Sequence, residues 1–228
     1  MIRLFFLSVL LITATNLLAQ ETETVTVKAG TSLNDYFSAS EGYIYPGFKA
    51  GRAYFNTGVY SERKFNYNFL SGEIVFVQNT DTLEIINKHD ISMISIEMDT
   101  FYYDKGYILQ VRNDFPKVGM KDSYKLLEVQ KKDPYGVTSS GSSTTTYNNL
   151  PSDGNYYELK ATNDMVFKRT QDYYIATEDN EFVIFNKKNV FQLFPDKKDR
   201  IKSFIKANKL KFDQEEDLFK LAEFIQTL

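Results

Sequence analysis

Glu73-Ile-Val-Phe-Val-Gln78, Asn79-Thr80-Asp81 and Thr82-Leu-Glu-Ile-Ile86 follow one another as a β-prone run, a turn and a second β-prone run. Asn87 to Asp90 turns the chain again into Ile91-Ser-Met-Ile-Ser-Ile-Glu97, and Phe101-Tyr-Tyr103 then faces Tyr107-Ile-Leu-Gln-Val111 across Asp104-Lys105-Gly106. Upstream, Gly51-Arg-Ala-Tyr-Phe-Asn56 breaks at Thr57-Gly58 before residues 59–68, which carry Tyr60, Phe65 and Tyr67. Short runs with hairpin-type turns at this spacing predict an antiparallel meander rather than βαβ units.

Outward from this block the signal weakens and then changes period. Thr22, Thr24 and Thr26 alternate with Val25 and Val27 as a short strand would, and residues 42–48, with Tyr43, Tyr45 and Phe48, read as an irregular or edge segment. Residues 117–132 fit a strand or a helix equally well. Residues 134–155, rich in Ser, Thr, Gly and Asn, read as a low-complexity loop or linker without enough apolar surface to offset its ordering entropy. Beyond it Tyr156-Tyr-Glu-Leu-Lys160, Met165-Val-Phe-Lys168, Asp172-Tyr-Tyr-Ile-Ala176 and Glu181-Phe-Val-Ile-Phe185 resume the strand pattern.

From Pro195-Asp196 the apolar period becomes helical, with Ile201, Phe204 and Ile205 on one face and a stop near Asn208. Asp213, with Glu216 three residues on, predicts the cap of a last helix whose face carries Leu218, Leu221, Phe224, Ile225 and Leu228. The expected fold is mainly β, an antiparallel meander sheet or sheets with two short C-terminal α-helices. Its divisions are a signal peptide at 1–19, a β-rich region at 20–133, the loop or linker at 134–155, further strands of the β body at 156–190 and a helical pair at 191–228.

The first nineteen residues set the compartment. Arg3 is followed by the apolar run Leu4-Phe-Phe-Leu-Ser-Val-Leu-Leu-Ile12, too short to span a bilayer, and the segment ends in Leu17-Leu18-Ala19. Cleavage between Ala19 and Gln20 is expected, giving an exported protein. Its loss removes Arg3 and leaves 26 basic against 30 acidic residues, hence a formal charge of −4. No nucleic-acid stripe emerges, because the lysines of 197–211 alternate with a helical apolar face. No second apolar stretch approaches membrane length, so no transmembrane segment is expected in the mature chain.

Among its 228 residues the chain has no cysteine and one histidine, His89. Thiolate catalysis, Cys-ligated metals, disulfides and thioether lipid anchoring are thereby excluded, and a His-rich metal site cannot be assembled within one chain. Asn87-Lys88-His89-Asp90 reads as a turn. Asp81/Glu84 and Glu97/Asp99 are two-carboxylate candidates without the Asp-Gly register of a calcium loop, and Glu215-Glu216-Asp217 suits a helix N-terminus. No G-x-S-x-G, P-loop or H-E-x-x-H is present. Sixteen Tyr and nineteen Phe stand against no Trp. Tyr43, Tyr45, Tyr54, Tyr60, Tyr67, Tyr102 and Tyr103 are candidates for an aromatic binding surface or for packing across the sheet.

Phe65-Asn-Tyr-Asn-Phe-Leu-Ser-Gly-Glu-Ile-Val-Phe76, followed by Asp81-Thr-Leu-Glu84, resembles a motif of uncharacterised secreted proteins of Bacteroidota. Phe194-Pro-Asp-Lys-Lys198, Phe204-Ile-Lys-Ala-Asn208 and Phe212-Asp213 are similar to C-terminal helical endings of exported proteins of that phylum. The resemblance implies export and a β-rich body and transfers no catalytic, metal or cofactor residue. It implies residence in the periplasm or at the outer-membrane periphery in preference to release, since proteins carried to the cell surface by the phylum's dedicated system usually end in a β-sandwich sorting domain. It also implies O-glycosylation at Thr82, within Asp81-Thr82-Leu83.

The function expected is that of an exported noncatalytic interaction or structural protein of the periplasm or the outer-membrane inner face, with a protein partner. The alternative is a periplasmic carrier holding an apolar ligand in a curved sheet, suggested by the apolar runs at 74–77 and 91–96. A carboxylate-dependent enzyme stands third. No cofactor or nucleic-acid partner is expected. Intact-mass measurement of the exported protein should show residues 1–19 lost and Gln20 first; retention of Met1 to Ala19 would refute this signal.

Overall fold

A computed structural model of the chain describes residues 24–39, 42–132, 138–141 and 160–228. Its strands are β1 (Thr24–Val27), β2 (Lys49–Phe55), β3 (Tyr60–Asn68), β4 (Glu73–Gln78), β5 (Asp81–Glu84), β6 (Ile91–Ile96), β7 (Asp99–Tyr103), β8 (Tyr107–Arg112), β9 (Lys117–Lys132), β10 (Thr138–Gly141), β11 (Asp164–Ala176) and β12 (Phe182–Ile184). The helices are α1 (Leu33–Ala39), α2 (Lys187–Leu193), α3 (Lys198–Asn208) and α4 (Glu215–Gln226). The fold is mainly β, as the meander pattern predicts. Antiparallel strands run in the order β1-β11-β9-β8-β7-β6-β2-β3-β4-β5, with β10 added on β9 and β12 on β11.

Tight turns carry the meander. Asn79 at φ 58° follows β4, Glu97 at φ 52° follows β6, and Lys105 and Gly106 at φ 49° and 108° join β7 to β8. One connection breaks the hairpin succession. β6 pairs not with β5 but with the far side of β2, so residues 85–90 must cross β4, β3 and β2 as a strap.

The sheet rolls until its middle meets itself. Tyr124 N–H donates to the carbonyl of Phe69 at 2.8 Å and Tyr107 N–H to that of Gly72 at 3.3 Å, tying the β3–β4 turn to β9 and β8. Tyr67 crosses the interior: its ring stacks on Phe101 at 5.7 Å, and its hydroxyl donates to the Asp122 carbonyl at 2.8 Å. The Asn-Tyr-Asn motif is thereby explained as architecture. Asn66 exchanges hydrogen bonds with the backbone of Tyr45 at 3.2 and 3.0 Å, and Asn68 accepts the N–H groups of Leu70 and Ser71 at 2.8 and 3.1 Å. Inside the roll Phe65, Tyr67, Ile74, Ile94, Ile96 and Phe101 form a filled core with Leu33 and Phe37 of α1.

A second core lies where the C-terminal helices dock. Val118 of β9 and Ile175 of β11 meet Val190, Ile201, Leu218, Leu221 and Ile225, all nearly inaccessible. Phe204 and Phe224 stack at 3.9 Å between α3 and α4. Of the predicted helical face, Leu218, Leu221 and Ile225 are buried, while Phe224 and Leu228 pack at its margin.

Several expectations are corrected. Residues 168–172 are not a break: β11 runs straight through Arg169-Thr170-Gln171. Arg169 and Gln171 both donate to the buried Asp122, with Nε and Nη2 of Arg169 at 2.9 and 3.0 Å and Nε2 of Gln171 at 3.0 Å, so polar pairing across the ladder carries the strand through this stretch. The ambiguous 117–132 is one strand, and its bulge opposite Val166/Phe167 displaces Leu127, which is 62% exposed. Residues 138–141 within the predicted loop pair with β9, extending its ladder; the rest of 134–155 and residues 156–159 lie outside the described residues, as do Ala19 and Gln20. The last helix caps at Gln214 rather than Asp213, without a side-chain cap, while Asp217 accepts the N–H of Lys211 at 2.8 Å. α1 and α2, beyond the predicted helical pair, begin at short polar caps: Ser32 Oγ accepts from Asp35 N–H at 3.3 Å and Asn186 Oδ1 from Asn189 N–H at 2.9 Å.

Asp122 is 5% exposed and its partner Arg169 only partly so. Asp122→Ala, which strands the guanidinium, should destabilise the fold by roughly 3 kcal/mol in urea titrations; a loss below about 1 kcal/mol would show that the pair does not hold the roll closed.

Candidate functional site

The strap and the open side of the sheet enclose a groove of about 760 Å³. Its floor follows from strand register. Phe65 of β3 lies opposite Phe76 of β4, which lies opposite Leu83 of β5, so three apolar side chains stand abreast. Ala53 and Phe55 of β2 extend the floor, Ile91 closes its end, and Ile85, Ile86 and Asn87 of the strap form a wall. Leu83 and Ile86 are 41% and 92% exposed, an apolar lip at the mouth. Pairing continued one step beyond Lys64 and Val77 brings Arg63 and Gln78 together, a polar end to an otherwise apolar floor.

The strap is fastened by charge. Lys88 Nζ lies 2.7 Å from Glu73 Oε1, each side chain only 15% exposed, and sits over the Tyr103 ring. His89, on the same short turn, packs edge-on to Tyr103 at 5.2 Å, and its carbonyl accepts from Asn56 Nδ2 at 2.8 Å. Two polar atoms beside the fastening, Glu73 Oε2 and the Tyr107 hydroxyl, are buried with no hydrogen-bond partner among the described residues. Burial pushes the Glu73 carboxyl above its ordinary range. The Lys88 hydrogen bond and charge oppose that shift, Glu84 adds to it, and Lys121 opposes it. The Tyr107 phenol is likewise pushed well up by burial, reinforced by Glu73, Tyr103 and Glu84.

The seven candidate tyrosines do not share one surface. Tyr67 is buried in the roll. Tyr45 donates to Asp99 Oδ2 at 2.5 Å, Tyr43 packs on Phe48, and Tyr102 packs on Phe182. Tyr103 meets Tyr107 and His89. Tyr54 and Tyr60 do pair at the β2–β3 hairpin, with Arg52 over the Tyr60 ring at 5.0 Å. Thr82 is exposed on β5 at the groove's edge. Of the carboxylate pairs, Glu84 borders the groove, Glu97 meets Lys49 at 3.3 Å and Asp99 meets Tyr45. Among the described residues no three His, Asp or Glu side chains converge as a metal centre requires, and no helix is long and apolar enough to cross a membrane.

Sequence reasoning did not single out Arg63, Gln78, Glu73 or Lys88. The apolar runs at 74–77 and 91–96, with Thr82 and Glu84 beside them, were the sequence signals that fell in this region. No family model, curated protein or solved structure matches the chain.

Because the folded state holds the Glu73 proton more tightly than the unfolded chain, the stabilisation this shift provides is present at low pH and is lost as pH rises through the raised pKa. Wild type should therefore gain stability relative to Glu73→Gln as pH falls from 7 toward 4.5, measured by paired denaturant titrations. An unchanged or opposite difference would mean that Lys88 outweighs burial.

Proposed function

We propose that this is a noncatalytic binding protein of an exported compartment, in which the open side of the rolled sheet takes an apolar chain. The row that runs from buried Phe65 through half-buried Phe76 to exposed Leu83, beneath the strap, carries the reading. The adjoining interior is filled by the protein's own rings, whereas the groove falls within the range of about 300–1,000 Å³ common to small-molecule sites. Leu83 and Ile86 at its lip give an entering chain apolar contact before it reaches the floor. Between a docking protein and a ligand carrier, this apolar floor favours the carrier. Export rests on the reading of the first nineteen residues.

The absence of Trp supplies a clean reporter. Ile86→Trp at the exposed lip would be the chain's sole tryptophan, and saturated sixteen-carbon chains should shift its emission to the blue, with a brominated analogue quenching it. Leu83→Asp on that background should weaken binding at least about tenfold, by placing a charge in the apolar row. No emission change with any chain, or equal binding by the Leu83→Asp variant, would refute the carrier reading.

A further inference from the structure

The polar end of the groove carries information about the ligand's head. Several cations around this region already meet carboxylates: Arg52 pairs with Glu62 at 2.9 Å, Lys49 with Glu97 at 3.3 Å and Lys88 with Glu73 at 2.7 Å. Arg63 differs. Its Nη1 donates to the neighbouring Glu62 carbonyl at 2.7 Å, and it has no ion-pair partner among the described residues. A guanidinium has five N–H donors in a planar fork suited to a two-oxygen anion, so most of its capacity is unspent.

The surroundings favour an anion at this point. Ser61 and Gln78 add a hydroxyl and an amide to the same wall. Glu84, the acid on the lining, stands opposite Val75, and its field falls on Glu73 and Tyr107 toward the other end of β4. Asp81 stands opposite Gln78 but is exposed and lies off the groove wall. From Arg63 the apolar floor begins one pleat along the same strand, at Phe65.

Resting on the reading of the groove as an apolar-chain site, we propose that its ligand is an anionic amphiphile: Arg63, assisted by Gln78 and Ser61, holds the charged head while the chain lies along Phe65, Phe76 and Leu83. The shared chemistry is a compact oxyanion on a long saturated chain, supplied either by a free fatty carboxylate or by a lipid phosphate.

The test uses the Ile86→Trp protein with palmitate, palmitoyl-lysophosphatidate and hexadecanol, each below its aggregation concentration. At low salt one or both anions should bind at least about tenfold more tightly than the alcohol, a preference that shrinks in high salt. Arg63→Gln should abolish that preference by weakening the anions at least about tenfold more than hexadecanol, whereas Arg63→Lys should retain part of it. Whichever anion binds more tightly identifies the source of the head. Equal binding of acid and alcohol, or a preference that survives Arg63→Gln, overturns the head assignment while leaving the groove reading intact. Failure of all three ligands to bind overturns the groove reading instead.

Discussion

The buried carboxylate of Asp122 is the constraint on which this architecture turns. It accepts two hydrogen bonds from Arg169 and one from Gln171, while its backbone carbonyl receives the Tyr67 hydroxyl from the far side of the roll. Arg169 in turn covers the Phe69 ring at 4.0 Å, beside the Phe69 carbonyl that takes the Tyr124 N–H. A charge this deep is tolerated because its acceptor sites are filled and its partner is planar and bidentate. With that contact made, β3 and β9 are fixed to each other even though β2, β6, β7 and β8 lie between them in the sheet. A twisted sheet becomes a roll.

Closing the roll there determines what stays open. The β3–β4 turn is drawn onto β8 and β9, so the opposite ends of β3 and β4, bearing Arg63 and Gln78, cannot share the same closure. Among the described residues β5 has a single neighbour, and its short ladder leaves Leu83 partly uncovered. The strap can then cross to β6 only over this open region, because β6 must pair with β2. Groove, lip and strap are consequences of one topological step, the departure from hairpin succession after β5.

The repeating part of this arrangement was legible in the sequence. Alternating aromatic and β-branched residues between turn dipeptides give strands wherever side chains alternate inward and outward, and the final amphipathic helices announce themselves by period. What escaped was governed by partners distant along the chain. Arg169 and Gln171 interrupt the apolar alternation until Asp122, 47 and 49 residues away, is placed beside them. Leu33 and Phe37 make too short an apolar pattern to identify α1, yet both are almost completely buried, with the Phe37 ring 4.9 Å from Tyr124 and 5.4 Å from Phe167. The tyrosines left a binding surface and packing across the sheet both open, because the burial of Tyr67 and the hydrogen bond of Tyr45 depend on which strands the roll brings together. The crossing of the strap is likewise a matter of topology, not of local propensity.

Two ion pairs show how the fold divides its tasks. Around Asp122 the buried polar atoms are well satisfied, and the surrounding rings are packed. At the strap, Glu73 has one oxygen on Lys88 and the other buried without a partner, beside a Tyr107 hydroxyl in the same condition. Unsatisfied buried groups lower the cost of local opening, since solvent restores the missing hydrogen bonds. The less stable fastening therefore lies on the segment that walls the groove, while the better satisfied pair closes the roll and the second core anchors the C-terminal helices on β9 and β11. Loosening residues 85–90 would leave the hydrogen bonds of Tyr67 and Asp122 in place, so the strap is the part of the groove wall that closure of the roll does not hold.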